Sequence, residues 1–252
     1  VDIVNIQALN KSLKAISFNY VINLGGYIDH SDYLNGGNLV FESHFLGLKN
    51  LVDCLDKSKL KGFVQIGSSD EYGNNPAPQV ETQREMPFSI YSCAKLLATN
   101  LLITLNKTDK FPAIILRPFL IYGPGQDSSR FIPQVIRGCL SDESFPASSG
   151  EQLRDFCYID DFVKALFLAI EVAPHGEIIN IASGKPISVK KVVTKIVDII
   201  GSGKPEFGKL EYRPSENMSL YADIDKAKKI LGWMPSIDFE TGIKNTIIWS
   251  KR

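Results

Sequence analysis

The sequence has 252 residues, 44% of them hydrophobic, which is enough to bury a full core in one large domain or in a domain with a smaller lobe. Its 28 Lys and Arg residues balance its 28 Asp and Glu residues. This balance excludes a global electrostatic field that would attract nucleic acid or an anionic membrane.

The cysteines and the hydropathy pattern exclude further classes of protein. The four cysteines lie far apart and form no Cys-x-x-Cys pair, which argues against a zinc knuckle or a secreted disulfide framework, and we predict no metal site. No apolar run approaches the roughly 20 residues of a membrane span, and the N-terminus has no signal-peptide pattern. We therefore expect a cytoplasmic protein.

Apolar runs of strand length alternate with helical stretches in the first half of the chain. The predicted strands are 20–24, 62–67 and 113–117, and the predicted helices are 38–55 and one that contains Tyr91. Continuous apolar strands separated by helices indicate parallel strands buried on both faces. The fold class is therefore α/β, with a Rossmann-like doubly wound parallel sheet.

The second half has shorter elements and more Gly and Pro. We predict a strand over 154–159, a helix over 160–170, a strand end and turn over 180–184, and helices over 189–200 and 222–231. This pattern indicates a smaller α+β lobe that covers the carboxyl edge of the sheet. We assign residues 1–123, with a returning segment near 154–182, to the dinucleotide-binding domain, and 124–252 mainly to the substrate lobe.

One expected feature of a dinucleotide-binding fold is missing. The first strand should lead into a glycine-rich turn, but the sequence contains no Gly-x-Gly-x-x-Gly and no Gly-x-x-Gly-x-x-Gly. Either the fold is different, or this unit precedes Val1. We favour the second interpretation, because residues 1–4 read as the end of a strand and the sequence does not begin with Met.

The helix that contains Tyr91 carries the chemistry that we expect. Ser89 is a plausible N-cap, and apolar residues recur at helical spacing from Ala94 onward. Tyr91 and Lys95 are four residues apart and therefore lie on one face. A nearby ammonium stabilises a phenolate, so we expect Lys95 to lower the pKa of Tyr91 toward neutral pH.

Seven short motifs, in a fixed order, carry a resemblance to a known family. They are 67–73 (GSSDEYG), 91–95 (YSCAK), 117–126 (RPFLIYGPGQ), 154–161 (RDFCYIDD), 180–184 (NIASG), Arg213-Pro214 with Ala222-Asp223, and 228–235 (KKILGWMP). With these motifs the chain resembles the extended short-chain dehydrogenase/reductases, in the nucleotide-sugar epimerase/dehydratase branch. The resemblance covers essentially the whole chain.

The resemblance implies the cofactor NAD or NADP and a role for each matched residue. Tyr91 would be the acid/base, Lys95 would bind the nicotinamide ribose, and Ser68 would hydrogen-bond the reacting oxygen. The implied cofactor-binding residues are Asp2, Ile3, Leu24, Gly25, Gly26, Tyr91, Lys95 and Arg117. Leu24, Gly25 and Gly26 stand where the family usually has Leu-Ala-Ala.

The resemblance also implies a nucleoside-diphosphate sugar as substrate. Arg154 and Arg213 match the arginines that hold the diphosphate, a task suited to a bidentate guanidinium. Gln126 and Phe131 are also expected to bind the substrate. The chain departs from the family at His44 and Leu120, where many relatives have asparagine; we assign no role to His44.

The sequence is compatible with several reactions of this family. Asp70 stands two residues before Tyr72, where dehydratases and decarboxylases carry an acid, and we count it as catalytic. The run 67–73 looks closest to 4-keto-6-deoxy-sugar reductases, which we prefer. A nucleotide-sugar 4-epimerase, a 4,6-dehydratase, or a catalytically inactive dinucleotide-sensing regulator are the alternatives, and a solvated turn is the plainer interpretation of Asp70 and Glu71.

The helix over 38–55 predicts self-association. It has apolar residues on more than one face, with Leu39 and Leu46 off the main stripe. We expect a homodimer in which this helix and the Tyr91 helix pair with their copies.

Overall fold

A computed structural model describes residues 1–212 and 216–251. Its strands are β1 (Tyr20–Asn23), β2 (Gly62–Ile66), β3 (Ala113–Pro118), β4 (Leu120–Tyr122), β5 (Ser144–Ala147), β6 (Leu153–Arg154), β7 (Phe156–Tyr158), β8 (Ile178–Ile181), β9 (Ile187–Ser188), β10 (Lys204–Phe207) and β11 (Ser219–Leu220). Its α-helices are α1 (Ile6–Leu13), α2 (Gly37–Phe41), α3 (Gly47–Cys54), α4 (Ile90–Asp109), α5 (Phe131–Leu140), α6 (Ile159–Val172), α7 (Val189–Ile200), α8 (Asp225–Leu231) and α9 (Phe239–Ser250).

The main sheet is parallel and has the strand order β1-β2-β3-β8. Successive side chains of a strand point to opposite faces, so Phe63 and Val64 enter different cores. Helices α1, α3 and α4 cover the face of Phe63, and α6 and α8 cover the face of Val64. Strands β2 and β3 are buried on both faces, as the continuous apolar runs predicted, whereas β1, at the edge of the sheet, is largely exposed. The Rossmann-like α/β fold is confirmed.

The predicted helix over 38–55 is continuous but not uniform. A π-helical turn, Glu42–Leu46, joins α2 to α3. A π turn rotates the side chains within it relative to a regular helix. It places the buried His44 on the side of the helix that faces α4 and the edge of the sheet.

The second half of the chain has a separate hydrophobic core, which is formed mainly by α5, α7 and α9. Three small sheets accompany them: β10-β5, β11-β6-β9 and β4-β7. Helices α6 and α8 also belong to the second half of the chain but pack against the main sheet. The lobe boundaries at 123, 154 and 182 stay a prediction. None of the helices in the described part of the chain has the length and hydropathy needed to span a bilayer.

Three sequence-based boundaries need correction. Residues 1–4 form a turn before α1, which the sequence analysis missed, and are not the end of a strand. The strand predicted over 154–159 is two strands, β6 and β7, which pair with different partners. The helix predicted from Ala222 begins at Asp225. In each case a short segment was assigned by its apolar content, and hydrogen bonding to distant residues decided its conformation.

Candidate active site

A cleft of about 1500 Å³ runs along the carboxyl edge of the main sheet. Its walls come from the loop after β1, the turn after β2, the start of α4, the 119–132 segment, and the region of Arg154 and Glu216. Parallel strands place their ligands at this edge. Ten of the predicted site residues line it: Leu24, Gly25, Gly26, Ser68, Asp70, Tyr91, Lys95, Gln126, Phe131 and Arg154.

Ser68 and Tyr91 form the centre of the cleft. Ser89 caps α4 by accepting a hydrogen bond from Ser92 N (3.1 Å), which places Tyr91 in the first turn. The Ser68 hydroxyl is close enough to the Tyr91 phenol to lower the pKa of the phenol, against the larger effect of burial. The Ser68 hydroxyl also accepts a hydrogen bond from Asp70 N (3.1 Å) and caps the short 3₁₀ helix Ser69–Tyr72. A hydroxyl pair is therefore held where a substrate oxygen can meet both groups.

The expected effect of Lys95 on Tyr91 is not found. Burial, and next the Asp70 carboxylate, raise the pKa of Tyr91 above its usual range, so the phenol is held in its protonated form. Burial also lowers the pKa of Lys95 to about 8, against the opposing charges of Glu71 and Asp70. Lys95 Nζ lies 5.9 Å from the centre of the Tyr91 ring and donates to Ile66 O (2.9 Å). The prediction of a lowered tyrosine pKa was wrong because it neglected desolvation.

A buried ion pair supports the turn that carries Ser68. Glu71 is fully buried, accepts hydrogen bonds from Ser68 N (2.8 Å) and Thr99 Oγ1 (3.0 Å), and is bound by Arg117 Nε (3.0 Å) and Nη2 (2.7 Å). Glu71 is thus not part of a solvated turn. The Ser-x-x-Glu spacing of a capping box was the sequence signal that could have revealed this role.

Arg117 requires a correction as well. We expected it to contact the cofactor, but it is fully buried between Glu71, Glu85 (2.7 Å) and the ring of Tyr72, whose centre lies 4.8 Å from Arg117 Cζ. It is not among the residues that line the cleft. In the described structure Arg117 neutralises Glu71 and fixes the turn behind the cleft, because a buried carboxylate needs a paired charge.

Two histidines contact Tyr91, and the sequence analysis gave neither a role. The ring of His44 lies edge-on to Tyr91 with centroids 5.2 Å apart, and His30 does the same at 5.5 Å. His44 is buried and its Nε2 donates to Tyr27 O (2.7 Å), so Nδ1 is the unprotonated nitrogen of a neutral ring. Burial, and next the charge of Lys95, lower the pKa of His44 to about 4.

The remaining predicted residues lie in three different settings. Asp2 accepts a hydrogen bond from Val4 N (2.9 Å), and Ile3 packs on Gly25 and Gly47; neither residue is in the lining of the cleft. Arg154 forms an ion pair with Glu216 and donates to Leu153 O (2.8 Å). Arg213 lies outside the described residues.

Gln126 has an unusual environment for a residue of the cleft. Its Nε2 donates to Ile121 O (2.8 Å), while its Oε1 is buried and has no hydrogen-bond partner among the described residues. Within that part of the chain, no group of three or more His, Cys, Asp or Glu residues is arranged to hold a metal ion.

A Rossmann-like parallel sheet whose carboxyl edge carries a serine, a tyrosine and a lysine four residues after the tyrosine defines a short-chain dehydrogenase/reductase. Residues 1–182 match the NAD dependent epimerase/dehydratase family. The chain belongs to this family, as the resemblance in the sequence implied, and it is therefore a member of a family of enzymes.

Individual relatives agree with this placement. The chain is 30% identical over 256 residues to a UDP-glucuronate 4-epimerase of Thermodesulfobacterium geofontis, covering 100% of this chain and 78% of the relative. It is also 30% identical over 210 residues to a dTDP-glucose 4,6-dehydratase of Escherichia coli, covering 74% of this chain but only 58% of the relative.

A solved structure matches the fold over the whole chain. It is the UDP-glucuronic acid 4-epimerase from Bacillus cereus in complex with UDP-glucuronic acid and NAD, with a TM-score of 0.90 and 27% sequence identity. The match covers 100% of this chain and 80% of that structure.

Proposed function

We propose that this protein is an NAD(P)-dependent oxidoreductase that acts at C4 of a nucleoside-diphosphate sugar, with Tyr91 as the acid/base. The support is the neighbouring hydroxyls of Ser68 and Tyr91 in a cleft at the carboxyl edge of the sheet, with the buried Lys95 5.9 Å from the centre of the Tyr91 ring. The family supports the same chemistry, because its characterised relatives act on UDP- and dTDP-sugars.

The nicotinamide end of a dinucleotide fits the residues that are present. Lys95 has three donors and gives one of them to Ile66 O, so it can also bind the hydroxyls of a ribose. Gly25 and Gly26 leave the backbone of the loop after β1 uncovered at the cleft. Leu24, Gly25 and Gly26 would hold the cofactor with Lys95 and Tyr91, and a bound NAD(P) would supply the hydride acceptor or donor.

Within this chemistry we propose a 4-keto-6-deoxy-sugar reductase. The observation that favours a reduction is the burial of Tyr91, which keeps the phenol protonated, the form that a reduction needs. Reduction adds a hydride to C4, and Tyr91 gives its proton to the C4 oxygen, producing the alcohol and a phenolate that is reprotonated from solvent. Ser68 would hydrogen-bond the same oxygen.

The substrate's diphosphate would bind at the far end of the cleft. Arg154 lines that end, and Glu216 and Asn217, which follow Arg213 closely, line it too. We propose that Arg154 and Arg213 hold the diphosphate, Arg154 exchanging its pairing with Glu216 for the phosphate oxygens. Phe131 and Gln126, which both line the cleft, would contact the nucleoside or the sugar.

A 4,6-dehydratase is the second candidate. It is favoured by Asp70, whose carboxylate lies in the cleft near Tyr91, and by the dTDP-glucose 4,6-dehydratases among the relatives. A 4-epimerase has the support of the UDP-glucuronate 4-epimerase relative. A dinucleotide-sensing regulator is an alternative from a different functional class. It is not supported by the presence of Ser68, Tyr91 and Lys95 together in the cleft, because a sensor would not need these catalytic side chains.

One panel distinguishes these functions. The full gene product is mixed with NADH or NADPH and UDP-, GDP-, CDP- and dTDP-linked 4-keto-6-deoxy sugars, and separately with NAD⁺ and UDP-glucuronate or dTDP-glucose; products are identified by mass spectrometry and NMR. Consumption of the reduced cofactor with formation of the C4 alcohol supports the reductase. A 4-keto-6-deoxy product from dTDP-glucose would instead show a 4,6-dehydratase, and an epimer from UDP-glucuronate would show a 4-epimerase. Cofactor binding without any turnover would show a dinucleotide-sensing regulator.

We also propose a homodimer in the cytoplasm. Helix α2 and the π-helical turn after it pack beside α4. Leu39 of α2, Leu46 of the π turn and Leu97 of α4 are exposed at 55%, 37% and 36%. An apolar surface of this kind is typical of a contact between subunits. Cytoplasmic location agrees with the soluble substrates of the family and with four cysteines that are all free thiols.

A further inference from the structure

Glu71 joins the elements that carry the side chains of the proposed site. Its Oε1 accepts a hydrogen bond from Ser68 N (2.8 Å), and its Oε2 accepts one from Thr99 Oγ1 of α4 (3.0 Å). Thr99 follows Lys95 by four residues, so the two side chains lie on one face of α4. Lys95 Nζ donates to Ile66 O (2.9 Å) at the end of β2. Helix α4 is therefore bound to β2 and its turn at two successive levels.

Two carboxylates share the guanidinium behind this contact. Arg117 Nη2 binds Glu71 Oε2 and Glu85 Oε1, each at 2.7 Å, and both Glu71 and Arg117 are fully buried. One positive charge faces two negative charges, so the group keeps a net negative charge behind the cleft. Neutralising the guanidinium alone would need a single carboxylate. Glu85 has no hydrogen bond to Ser68 or to α4 in the described part of the chain, so the two carboxylates differ in what else they hold.

The charge of Glu71 acts on the ammonium of the buried Lys95. Burial lowers the pKa of Lys95 to about 8, and the carboxylates of Glu71 and then Asp70 oppose this effect. The other titratable groups around the ammonium are His44, on the π-helical turn, and Tyr91, on α4 itself. The imidazole of His44 is neutral and the phenol of Tyr91 is protonated, so neither supplies negative charge. Glu71 is therefore the main source of it.

We propose that Glu71 is a positioning residue of this site: it fixes Ser68 against α4 and, through its charge, keeps Lys95 in the ammonium form. This inference rests on the proposed function, in which Tyr91 gives its proton to the C4 oxygen. A charged Lys95 stabilises the phenolate that remains, and a neutral amine does not. Among the described residues Glu71 is not part of the lining of the cleft, so it acts only through its neighbours.

The first test measures the charge of Lys95 without any turnover. The full protein is prepared with isotopically labelled lysine, the signal of Lys95 is assigned by its loss in Lys95→Arg, and its pH titration is followed by NMR. We expect a midpoint at about pH 8 in the wild type. Glu71→Gln should lower that midpoint by about one unit or more, because a nearby opposite charge typically shifts a pKa by about one to three units.

Glu85→Gln is the matched control, because it removes an equal charge at an equal distance from the same nitrogen of Arg117. It should move the Lys95 midpoint much less than Glu71→Gln does. Each variant leaves one carboxylate on Arg117, so no buried charge loses its partner and both proteins should fold. Equal shifts in the two variants, or no shift in Glu71→Gln, would make Glu71 an ordinary counterion of Arg117 and overturn the inference.

Thr99→Val separates position from charge. It removes the hydroxyl that joins α4 to Glu71 but keeps the shape of the side chain and every charge. We expect kcat for reduction of a 4-keto-6-deoxy sugar to fall roughly tenfold, since a small misplacement of reacting groups can cost up to about a hundredfold. The KM for NADPH and the Lys95 midpoint should not change. Full turnover in Thr99→Val would overturn the positioning of Ser68 through Glu71.

The pH dependence of the reduction gives a second measure of the charge. The active form has a charged Lys95, so kcat/KM should fall as the pH rises through about 8 in the wild type, and at lower pH in Glu71→Gln. Glu85→Gln should keep the wild-type profile. A change of stability alone would lower the activity of a variant without moving this profile.

The two proposals can fail independently. The NMR titration uses no substrate, so an unchanged Lys95 midpoint in Glu71→Gln rejects the role of Glu71 even in a protein that reduces ketones. Absence of turnover with every ketone tested rejects the reductase, and the titration still decides whether Glu71 keeps Lys95 charged.

Discussion

Gly26 and His44 share one space in the structure: a Cβ on Gly26 would lie 2.1 Å from Cε1 and 2.5 Å from Nδ1 of the His44 imidazole. Both positions are ones where the resemblance in the sequence implied a different residue, Leu-Ala-Ala for Leu24, Gly25 and Gly26 and asparagine for His44. The two departures are coupled, because the larger ring occupies the volume that a side chain at Gly26 would need. His44 also bonds to Tyr27 O and touches Tyr91, so it has little freedom to move away.

The first prediction concerns this coupling. Gly26→Ala should destabilise the fold by about 2 to 4 kcal/mol, the sum of overpacking and of a backbone φ of +114°, which L-residues rarely adopt. The double variant Gly26→Ala/His44→Asn should recover the overpacking part. Thermal unfolding of all variants measures both values.

Gly36→Ala is the matched control for that experiment. Gly36 has a similar φ of +110°, but no heavy atom lies within 4 Å of its added Cβ, so it reports the backbone cost alone. Equal destabilisation by Gly26→Ala and Gly36→Ala, or no recovery in the double variant, would show that the two residues are not coupled.

The second prediction is a pH dependence of stability that arises from His44. Its pKa is about 4 in the folded protein and ordinarily about 6.5, so between these values the unfolded chain binds a proton that the folded protein does not. The free energy of unfolding therefore falls as the pH falls from 6.5 to 4, by about 3 kcal/mol from this group. Urea unfolding at a series of pH values should show a shallower fall in His44→Asn.

His175→Gln serves as the reference in the same pH series, because that side chain is exposed and distant from the cleft. Identical slopes for the wild type and His44→Asn would contradict the burial of a neutral imidazole at this position.

The third prediction tests Tyr91 itself. Tyr91→Phe should lower turnover by orders of magnitude and leave cofactor affinity nearly unchanged, because the change removes the transferred proton and little of the packing. Steady-state kinetics and fluorescence titration with NADH and NADPH measure the two effects. More than a tenth of normal activity in the variant would reject Tyr91 as the acid/base.

The fourth prediction tests the diphosphate site. Arg154→Ala, and separately Arg213→Ala, should weaken the binding of nucleotide sugars roughly ten- to a hundredfold, since each charged hydrogen bond contributes about 1.5 to 3 kcal/mol. Calorimetry with UDP-, GDP-, CDP- and dTDP-sugars measures the change. Arg137→Ala, an exposed arginine of α5, is the control, and tight binding of a free sugar would reject this substrate class.

The fifth prediction concerns the dimer. The wild type should scatter light as a dimer at micromolar concentration, and Leu39→Glu combined with Leu97→Glu should shift it to monomer, because a charge buried in an apolar contact is costly. Phe167→Glu introduces the same charge at a 63% exposed position on α6, across the sheet, and should not change the assembly. A wild type that is only monomeric would refute the proposed contact.

Local patterns were sufficient for much of this protein. The strands β1, β2 and β3 and the helices α4 and α7 lie where the apolar pattern predicted them. Strands β2 and β3 are continuously buried and each helix keeps one buried face, so their burial follows the local sequence pattern. The set of Ser68, Tyr91 and Lys95 was also predicted, because the spacing within α4 and the end of β2 fix those residues at the carboxyl edge of the sheet. The family followed from short motifs in a fixed order.

The tertiary structure decided what depends on contacts between distant segments. It made Glu71 and Arg117 a buried pair 46 positions apart, instead of a solvated turn and a cofactor ligand. It also brought His30 and His44 to the ring of Tyr91, and placed the imidazole of His44 in the space left by Gly26. The protonation state of Tyr91 was also decided by the tertiary structure, because every neighbour of the ring contributes to its desolvation and Lys95 is only one of them. The sequence pattern gives only the spacing of residues along the chain. The burial of a side chain and the pairing of its charge depend on residues from distant segments, which only folding brings within a few ångströms.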